Sequence, residues 1–463
     1  MNKLTPALAL VLVAALASAC NSTQTPAEPG SLISQEASAL SAPEAWAFGP
    51  EVDGEVADTW AGIIRDEALL ALMEQALAAN PGLRASAESV RRSEAFLRQS
   101  RSGLLPGIGA SAGASGSSDF EDFDLTERYT ASLDASWEAD LWGAIRSDIL
   151  ASQYDLESAR AVYRASRESL TAGVARAYAV AIDARHQVAL TRATLAAQEE
   201  TLRIVDVRYK LGAADRREQV LAESDVANAR DSLELALASQ RSAIRALEVL
   251  LGRYPDGTMT VTDALPVVVD VVLAGQPADL LRRRPDVLSA EAGVRAAFAS
   301  TDVTRASRWP GLSLSGGVSS ATSDLADVLD PAALALSLGL RLADTLFDGG
   351  LTDARIAAAE ASGQIALANY GATVLDAYAD VEGRLDDVET LRNRSAFVET
   401  AAKNARETLQ LAEIQYKEGA IDLLDVLTFR QRSFQADRTL LSLRRSQVES
   451  RITLYLALGG AIE

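Results

Sequence analysis

The heptapeptide YKLGAAD at residues 209–215 returns almost unchanged as YKEGAID at residues 416–422. In each copy a glycine, Gly212 or Gly419, suits the left-handed residue that ends a helix. Three residues later an aspartate suits the N-cap of a following helix. We therefore predict that both copies are tight hairpins between two helices, and that the chain contains an internal duplication.

The similarity between the two halves extends well beyond these turns. Residues 201–252 align without gaps on 408–459, and residues 81–113 align in the same order on 285–317. Prolines and glycines interrupt the stretch between the halves. The predicted organisation has five segments: a signal peptide (1–19), a lipidated N-terminal tether (20–60), a first repeat (61–253), a connector (254–283) and a second repeat (284–463).

Each repeat is predicted to begin with a helix, 66–103 or 284–307, that ends before a proline. The last part of each repeat is a much longer helical pattern, which in the first repeat runs from Gly143 to about Leu211. At 1.5 Å per residue such a helix is on the order of 100 Å long. An ordinary globular domain does not require that length, so we expect long coiled-coil helices.

Strand-like stretches lie between these helices. Residues 129–137 and 334–342 alternate apolar with small or polar side chains, and their expected partners are 107–117 and 311–320. Two interpretations are open. The strands cross a membrane with the apolar face outward, or they form a soluble four-stranded sheet packed on helices.

The membrane interpretation requires several copies of the chain, because a bilayer excludes open sheet edges and four strands are too few for a barrel. The export signal, the duplication and the long helices favour it. The predicted fold class is therefore mainly α with a transmembrane β part. The residues predicted to face lipid are Leu133, Trp137, Leu334, Leu336, Leu338 and Leu340.

The N-terminal sequence is typical of an export signal, because Lys3 is followed by a short apolar stretch and then by small residues. It resembles a bacterial lipoprotein signal, in which Cys20 would become the lipidated first residue. The alternative is ordinary cleavage that leaves Cys20 as a free thiol. Cys20 is the only cysteine of the chain, and its position favours lipidation. Residues 21–42 are then expected to be a flexible tether.

The composition excludes several kinds of function. A net charge of −20 argues against a nucleic-acid partner, since phosphates require clusters of Lys and Arg. One His and one Cys cannot build a disulfide framework or a zinc cluster. We expect no cofactor, no metal site and no catalytic residues.

Several segments together resemble outer-membrane factors, the channel-tunnel components of tripartite efflux systems, in their lipoprotein branch. These segments are ALMEQALAANPGLR (71–84), SWEADLWGAIR (136–146), ADLLRRRPDVLSAEAGVRAA (278–297), TLFDGGLTDAR (345–355), YKEGAIDLLDVL (416–427) and LYLALGG (454–460). The resemblance implies a homotrimer with a twelve-stranded β-barrel in the outer membrane and a helical α-barrel crossing the periplasm.

The resemblance also implies a function and partners. The channel would passively conduct drugs or other small molecules from an inner-membrane pump, of the resistance-nodulation-division type, and a periplasmic adaptor. It would be lipid-anchored in the outer membrane and extend into the periplasm. The alternatives are a structural coiled-coil lipoprotein without a pore and an exported enzyme, the latter being disfavoured by the few titratable candidates.

In the family the hairpins form the periplasmic end of the tunnel. Tyr209 with Gly212, and Tyr416 with Gly419, resemble the adaptor-docking motif, although both tyrosines could instead pack the hairpins.

Asp425 matches an aperture aspartate, and Glu218 is its counterpart in the first repeat. Helix capping is the alternative role for both acids. Thr428 stands where some relatives have a second aspartate, which implies one acidic ring rather than two.

Overall fold

The computed structural model describes residues 28–40, 45–48, 56–118, 125–269 and 274–460. The predicted signal peptide and Cys20 lie outside these residues. Within them the chain forms nine α-helices and four β-strands. The helices are α1 Pro29–Ala39, α2 Glu67–Ala79, α3 Pro81–Ser102, α4 Ala144–Lys210, α5 Arg216–Leu250, α6 Pro277–Arg283, α7 Pro285–Ala306, α8 Leu351–Lys417 and α9 Leu423–Ala457. The strands are β1 Gly107–Ser118, β2 Leu125–Ala139, β3 Gly311–Thr322 and β4 Leu334–Ala343.

The internal duplication is visible in the lengths of the helices. Helices α4 and α8 both have 67 residues, α5 and α9 both have 35, and α3 and α7 both have 22. Their first residues differ by 207, 207 and 204 positions, which are the offsets of the sequence alignment. The predicted long helix from Gly143 to Leu211 is confirmed as α4, and α8 repeats it.

The four strands form one antiparallel sheet in the order β1-β2-β3-β4. Leu133 of β2 lies opposite Val318 of β3, which lies opposite Leu336 of β4. Residues directly opposite in antiparallel strands share a face of the sheet. Strand β2 runs from Leu125 to Ala139 and is longer at both ends than the predicted 129–137.

The prediction of a single helix over 66–103 is wrong. The backbone of Asn80 is extended, with φ −67° and ψ 122°, and its side chain caps α3 by accepting a hydrogen bond from the Leu83 N–H at 3.0 Å. Pro81 follows, and a residue that precedes proline disfavours the helical conformation. Helices α2 and α3 therefore meet at a sharp break.

The flexible tether predicted for residues 21–42 is wrong for its second half, because Pro29–Ala39 is helix α1. Pro29 supplies the first position of this helix, and Ile33 is buried against α7 and α8. Further along, the Trp46 indole N–H donates to the Gly275 carbonyl at 3.0 Å. The segment thus packs on the body of the protein.

Both repeats close with the same tight contact. Gly252 follows α5 with φ +69°, and a Cβ there would lie 2.6 Å from the Ala79 carbonyl oxygen. Gly459 follows α9 with φ +100°, and its Cβ would lie 2.8 Å from the Arg283 Cβ. The end of each long hairpin is thereby held against the end of a short helix, α2 or α6, that directly precedes the 22-residue helix α3 or α7. No helix among the described residues is both long and apolar enough to cross a membrane.

Candidate functional site: hairpin tips and a two-faced sheet

The turns at the two hairpin tips have the same backbone. After α4, the Gly212 N–H donates to the Tyr209 carbonyl at 3.0 Å and the Ala213 N–H donates to the Arg208 carbonyl at 2.7 Å. After α8, Gly419 and Ala420 repeat both bonds at 3.0 and 2.8 Å. This is the Schellman arrangement, which requires a residue with positive φ. Gly212 has φ +71° and Gly419 has φ +77°.

The helices that leave the tips are capped by aspartates. Asp215 accepts a hydrogen bond from the Glu218 N–H at 2.9 Å, and Asp422 accepts one from the Asp425 N–H at 3.0 Å. Glu218 and Asp425 therefore contribute backbone N–H groups to the caps. Within the described chain their carboxylates have no hydrogen-bond or ion-pair partner, and both residues lie in the first turn of their helices.

The two tip tyrosines have different surroundings. The Tyr416 side chain is only 7% exposed and packs against Val205, Leu423 and Val426, with the Arg208 guanidinium 4.8 Å from its ring centre. Tyr209 is 40% exposed. In the single chain Tyr416 therefore packs the hairpins together, whereas Tyr209 is open to a partner.

A buried arginine joins the two hairpins behind the tips. Arg430 of α9 donates to the Thr201 hydroxyl of α4 at 2.7 Å and to the Glu413 carboxylate of α8 at 2.7 Å. No sequence motif singles out Arg430. It could have been found, because Leu423, Val426 and Arg430 follow a helical spacing of three and four residues that places them on one buried face.

The predicted apolar strand positions share one face of the sheet. Every second residue of each strand places its side chain on this face, and most of these side chains are exposed in the single chain. Its large exposed members include Ile108, Leu125, Leu133, Trp137, Leu314, Leu334, Leu336, Leu338, Leu340 and Leu342. The opposite face carries small and polar residues, mainly serine and glycine together with Asp134, Glu138 and Arg341.

Three tryptophans mark the end of the sheet that adjoins the long helices. The Trp137 indole N–H donates to the Leu104 carbonyl at 3.0 Å, and the Trp142 indole N–H donates to the Pro310 carbonyl at 2.8 Å. Trp142 also stacks on Trp309 with ring centres 5.3 Å apart. Rings of this kind, with an apolar body and a satisfied polar group, are typical of membrane–water interfaces.

The sequence pattern of the family described as outer membrane efflux protein matches residues 72–253 and 277–460, one match in each repeat. The chain belongs to the outer membrane efflux protein family. It is 30% identical over 477 residues to the pyoverdine export outer membrane protein OpmQ of Pseudomonas aeruginosa, covering 98% of this chain and 96% of that protein. It is 29% identical to the outer membrane protein OprJ of the same organism, covering 99% and 97%.

Solved structures agree with this assignment. The open state of the MtrE outer membrane channel of Neisseria gonorrhoeae is 25% identical, with a TM-score of 0.81, and covers 92% of this chain and 96% of that one. The predicted family and fold class are confirmed, as is the predicted function of an outer-membrane efflux channel. This outer membrane efflux protein is thus located in the outer membrane.

Proposed function

We propose that this outer membrane efflux protein works as a homotrimer, a tube that passively conducts drugs or other small molecules. A periplasmic adaptor and an inner-membrane pump of the resistance-nodulation-division type would deliver them. The observation that carries the proposal is the sheet. Its apolar face is exposed, and the outer edges of strands β1 and β4 have no partner strand within the described chain.

The free edges support closure by further copies. Strands β1 and β4 each leave a row of backbone N–H and C=O groups without partners in the sheet. In a bilayer each such group costs several kcal/mol, so the edges must pair. Pairing β4 of one copy with β1 of the next closes the sheet, and three copies give twelve strands, which lies within the range of known barrels.

The height of the apolar face fits a bilayer. From Tyr129 to Ala139 strand β2 rises through ten residue steps, or about 33 Å along the strand. A tilt of about 40° reduces this to about 25 Å across the membrane, the height of the apolar band in barrels of this kind. The tryptophans at the helix end of the sheet then lie at the periplasmic interface.

The hairpin tips lie at the opposite end of the long helices, on the order of 100 Å away. We assign adaptor docking to Tyr209, Gly212 and Gly419, with Tyr416 holding the two tips together from inside. Glu218 and Asp425, whose carboxylates have no partner among the described residues, line the periplasmic aperture. Cys20 carries the lipid that anchors the chain.

The channel test is single-channel recording in planar bilayers, combined with a heat-modifiable trimer band on gels. A conducting trimer is expected. A trimer that never conducts would overturn the channel and favour a coiled-coil spacer.

The aperture assignment is tested by the variant Glu218→Ala with Asp425→Ala. Removing the acidic ring should change conductance and weaken block by multivalent cations. Glu234→Ala, an exposed acid further along α5, is the matched control. If current and block are unchanged, the two acids do not line the aperture and serve only in the first turn of their helices.

The lipid face is tested by Leu336→Arg, which should cost about 2–4 kcal/mol if the residue lies near the bilayer midplane. Ser337→Arg, on the opposite face, should be tolerated. Folding yield in lipid vesicles measures both variants, and equal tolerance would mean that the leucines do not face lipid.

A further inference from the structure

A groove of about 740 Å³ lies between α4, α8 and α9, near the middle of the two 67-residue helices. Three arginines line it, Arg176 on α4 and Arg384 and Arg394 on α8. Val180 and Leu391 give the same groove an apolar part. None of these residues belongs to the hairpin tips or to the sheet, so the groove has no role in the sites described above.

Two of the three guanidinium groups have no partner. Within the described chain, neither Arg176 nor Arg394 makes a hydrogen bond or an ion pair, and both side chains are exposed. The acids that line the groove are already paired. Asp387 pairs with Arg384 at 3.3 Å, and both carboxylate oxygens of Glu449 accept hydrogen bonds from an arginine of the same helix at 2.8 and 2.9 Å. The groove therefore offers two positive charges to a ligand.

The packing that the two repeats share does not require these two arginines. At the corresponding places, displaced by 207 positions, Arg176 is replaced by Gly383 and Arg394 by Gln187. The duplicated helices therefore form without a positive charge at either position. The pair of charges is a feature of this groove rather than of the repeat, which is why we looked for a role in binding.

The opposite side of the same helices is covered by other parts of the chain. We call the described residues between 45 and 64, together with those of the connector, the peripheral layer; Ile64 and Val268 join its two parts. On α4 the Tyr178 hydroxyl lies 2.9 Å from a connector hydroxyl. The carboxylate of Glu382 on α8 and the hydroxyl of Tyr455 on α9 bind the backbone of residues 47 and 57, each at 2.9 Å.

The groove faces away from this peripheral layer. Its residues Arg176, Arg384 and Thr453 each lie two positions from one of those three contacts, and two residues turn about 200° around a helix. A tube can conduct only if its interior is open, so the peripheral layer lies outside the proposed tube. The groove then faces the interior, where cargo passes.

We propose that this groove is a binding site for amphipathic organic anions on their way through the tunnel. The guanidinium groups of Arg176 and Arg394 hold the carboxylate, sulfonate or phosphate group, which arginine binds through paired N–H donors. Val180 and Leu391 contact the apolar part of the same molecule. The inference rests on the proposed function and names a class of cargo for it.

Such a site has a purpose in an acidic channel. The chain has a net charge of −20, so an anion that enters the tube is repelled by most of its surroundings. Two unpaired arginines lower that barrier at one level of the tube. Because both are exposed to water, the attraction stays weak enough for the anion to leave again, as conduction requires.

Binding to the purified protein in an uncharged detergent tests the site without reference to conduction. The probe is naphthalene-2-sulfonate, and its neutral analogue naphthalene-2-sulfonamide reports binding through the ring alone. Equilibrium dialysis at low salt should show tighter binding of the sulfonate. Arg176→Gln with Arg394→Gln should weaken sulfonate binding roughly tenfold, and Arg176→Lys with Arg394→Lys should restore part of it.

The matched control is Arg192→Gln with Arg241→Gln, which changes the net charge equally. Both arginines are exposed, and both lie on the side of the peripheral layer. Arg192 follows by about two turns Arg185, which donates to a connector carbonyl, and Arg241 precedes by about two turns Glu248, which accepts from a connector N–H. Sulfonate binding in this control should equal that of the native protein.

The outcomes separate the site from the channel. The site is overturned if sulfonate and sulfonamide bind equally, or if the groove variant and the control variant behave alike. In single-channel recording the sulfonate should reduce the current, and the groove variant should lose this block. Specific binding that leaves the current of an open channel unchanged overturns the placement of the groove in the interior. Specific binding to a protein that never conducts overturns the proposed function and leaves the anion site standing.

Discussion

The two hairpins differ in what covers them, although their backbones agree. At the first tip Tyr209 is 40% exposed, while at the second tip Tyr416 is 7% exposed and lies under the Arg208 guanidinium. The reason is position. The second hairpin packs on α4 of the first through the face that carries Tyr416, whereas Tyr209 stays partly exposed to solvent. Duplication has preserved the turn and left the side chains free to diverge with their surroundings.

Ion pairs along the hairpins show which property the duplication preserves. Glu199 of α4 pairs with Arg230 of α5 at 2.8 Å, and at the corresponding places Arg406 of α8 pairs with Asp437 of α9 at 2.5 Å. The contact is kept while its signs are exchanged. In both pairs the arginine side chain is more than half exposed, and pairs open to solvent contribute about 0–1 kcal/mol in either order, so neither order is strongly preferred.

Where the hairpins meet the short helices, both repeats again keep a contact, here a hydrogen bond, while the donor residue differs. The Asn80 amide donates to the Leu250 carbonyl at 3.0 Å, and at the corresponding place the Arg284 guanidinium donates to the Ala457 carbonyl at 2.9 Å. In both repeats a carbonyl at the end of a hairpin helix needs a donor. The donor's reach and position matter more than its residue type.

The largest expected effect separates the two tip tyrosines. Tyr416→Ala removes a buried ring and should cost about 3–5 kcal/mol of stability, as large-to-small changes of aromatic residues do in a packed interior. Tyr209→Ala should cost about 1 kcal/mol or less. Denaturant unfolding of the purified protein measures both. Similar losses would mean that the two rings are buried to a similar degree in solution.

The next effect contrasts Arg430 with its counterpart Glu223. Arg430→Ala removes a buried guanidinium together with the hydrogen bonds it donates to Thr201 and to the partly exposed Glu413, so a loss of about 3 kcal/mol is expected. Glu223 is exposed in the single chain, and Glu223→Ala should change stability by no more than about 0.5 kcal/mol. Arg430→Met, which keeps the volume, separates packing from charge. The link between the hairpins is refuted if Arg430→Ala proves neutral.

Replacing a glycine should cost about as much stability in one repeat as at the equivalent position of the other. Within one repeat, the glycine after the hairpin should be more sensitive than the glycine at the tip. Gly252→Ala and Gly459→Ala introduce both a positive-φ strain and a steric clash, so each should cost more than about 2 kcal/mol. Gly212→Ala and Gly419→Ala meet open space and should cost only about 1 kcal/mol. Thermal unfolding ranks the four. A tip glycine as sensitive as Gly252 would reveal a contact that the single chain lacks.

Much of this fold could be predicted from the sequence because its signals are local and repeated. The length of α4, the alternation of β4 and the glycine and aspartate of each tip all follow from neighbouring residues. The break at Asn80 was missed, since the helical pattern continues through it and only Pro81 signals the change. Helix α1 was missed because its composition resembles a linker, and its helical structure is associated with burial of Ile33 against distant helices.

The candidate site was predictable to a similar extent. Tyr209 and Tyr416 occupy equivalent positions in the two repeats, and their backbones agree, but Tyr416 is buried and Tyr209 is exposed. Burial depends on which hairpin packs inside the chain, and a repeat cannot reveal that. The role of Arg430 could not be predicted for the same reason. A single charged residue on an apolar helix face becomes significant only when its partners on other helices are known.

The smallest expected effect concerns Asp225 of α5, whose counterpart in the second repeat is Arg432. Burial raises the pKa of the Asp225 carboxyl above its ordinary value, and the nearby Arg430 guanidinium opposes the shift. A raised pKa means that the folded protein favours the protonated acid. This carboxyl therefore lowers stability progressively as the pH rises from its ordinary pKa of about 4 through the folded value. Asp225→Asn should stabilise the protein at pH 7 and should have little effect below about pH 4.

The same substitution also tests the link to the second hairpin. In an Arg430→Ala background the opposing charge is gone, so the pKa of Asp225 should rise further and Asp225→Asn should stabilise more than it does in the native chain. A double-mutant cycle on unfolding free energies measures this coupling directly. If the effects of the two substitutions on the unfolding free energy simply add, the charges of Asp225 and Arg430 do not interact. Then the contact that Arg430 makes with the first hairpin would be limited to its hydrogen bonds to α4, of which the bond to the Thr201 hydroxyl is the shortest.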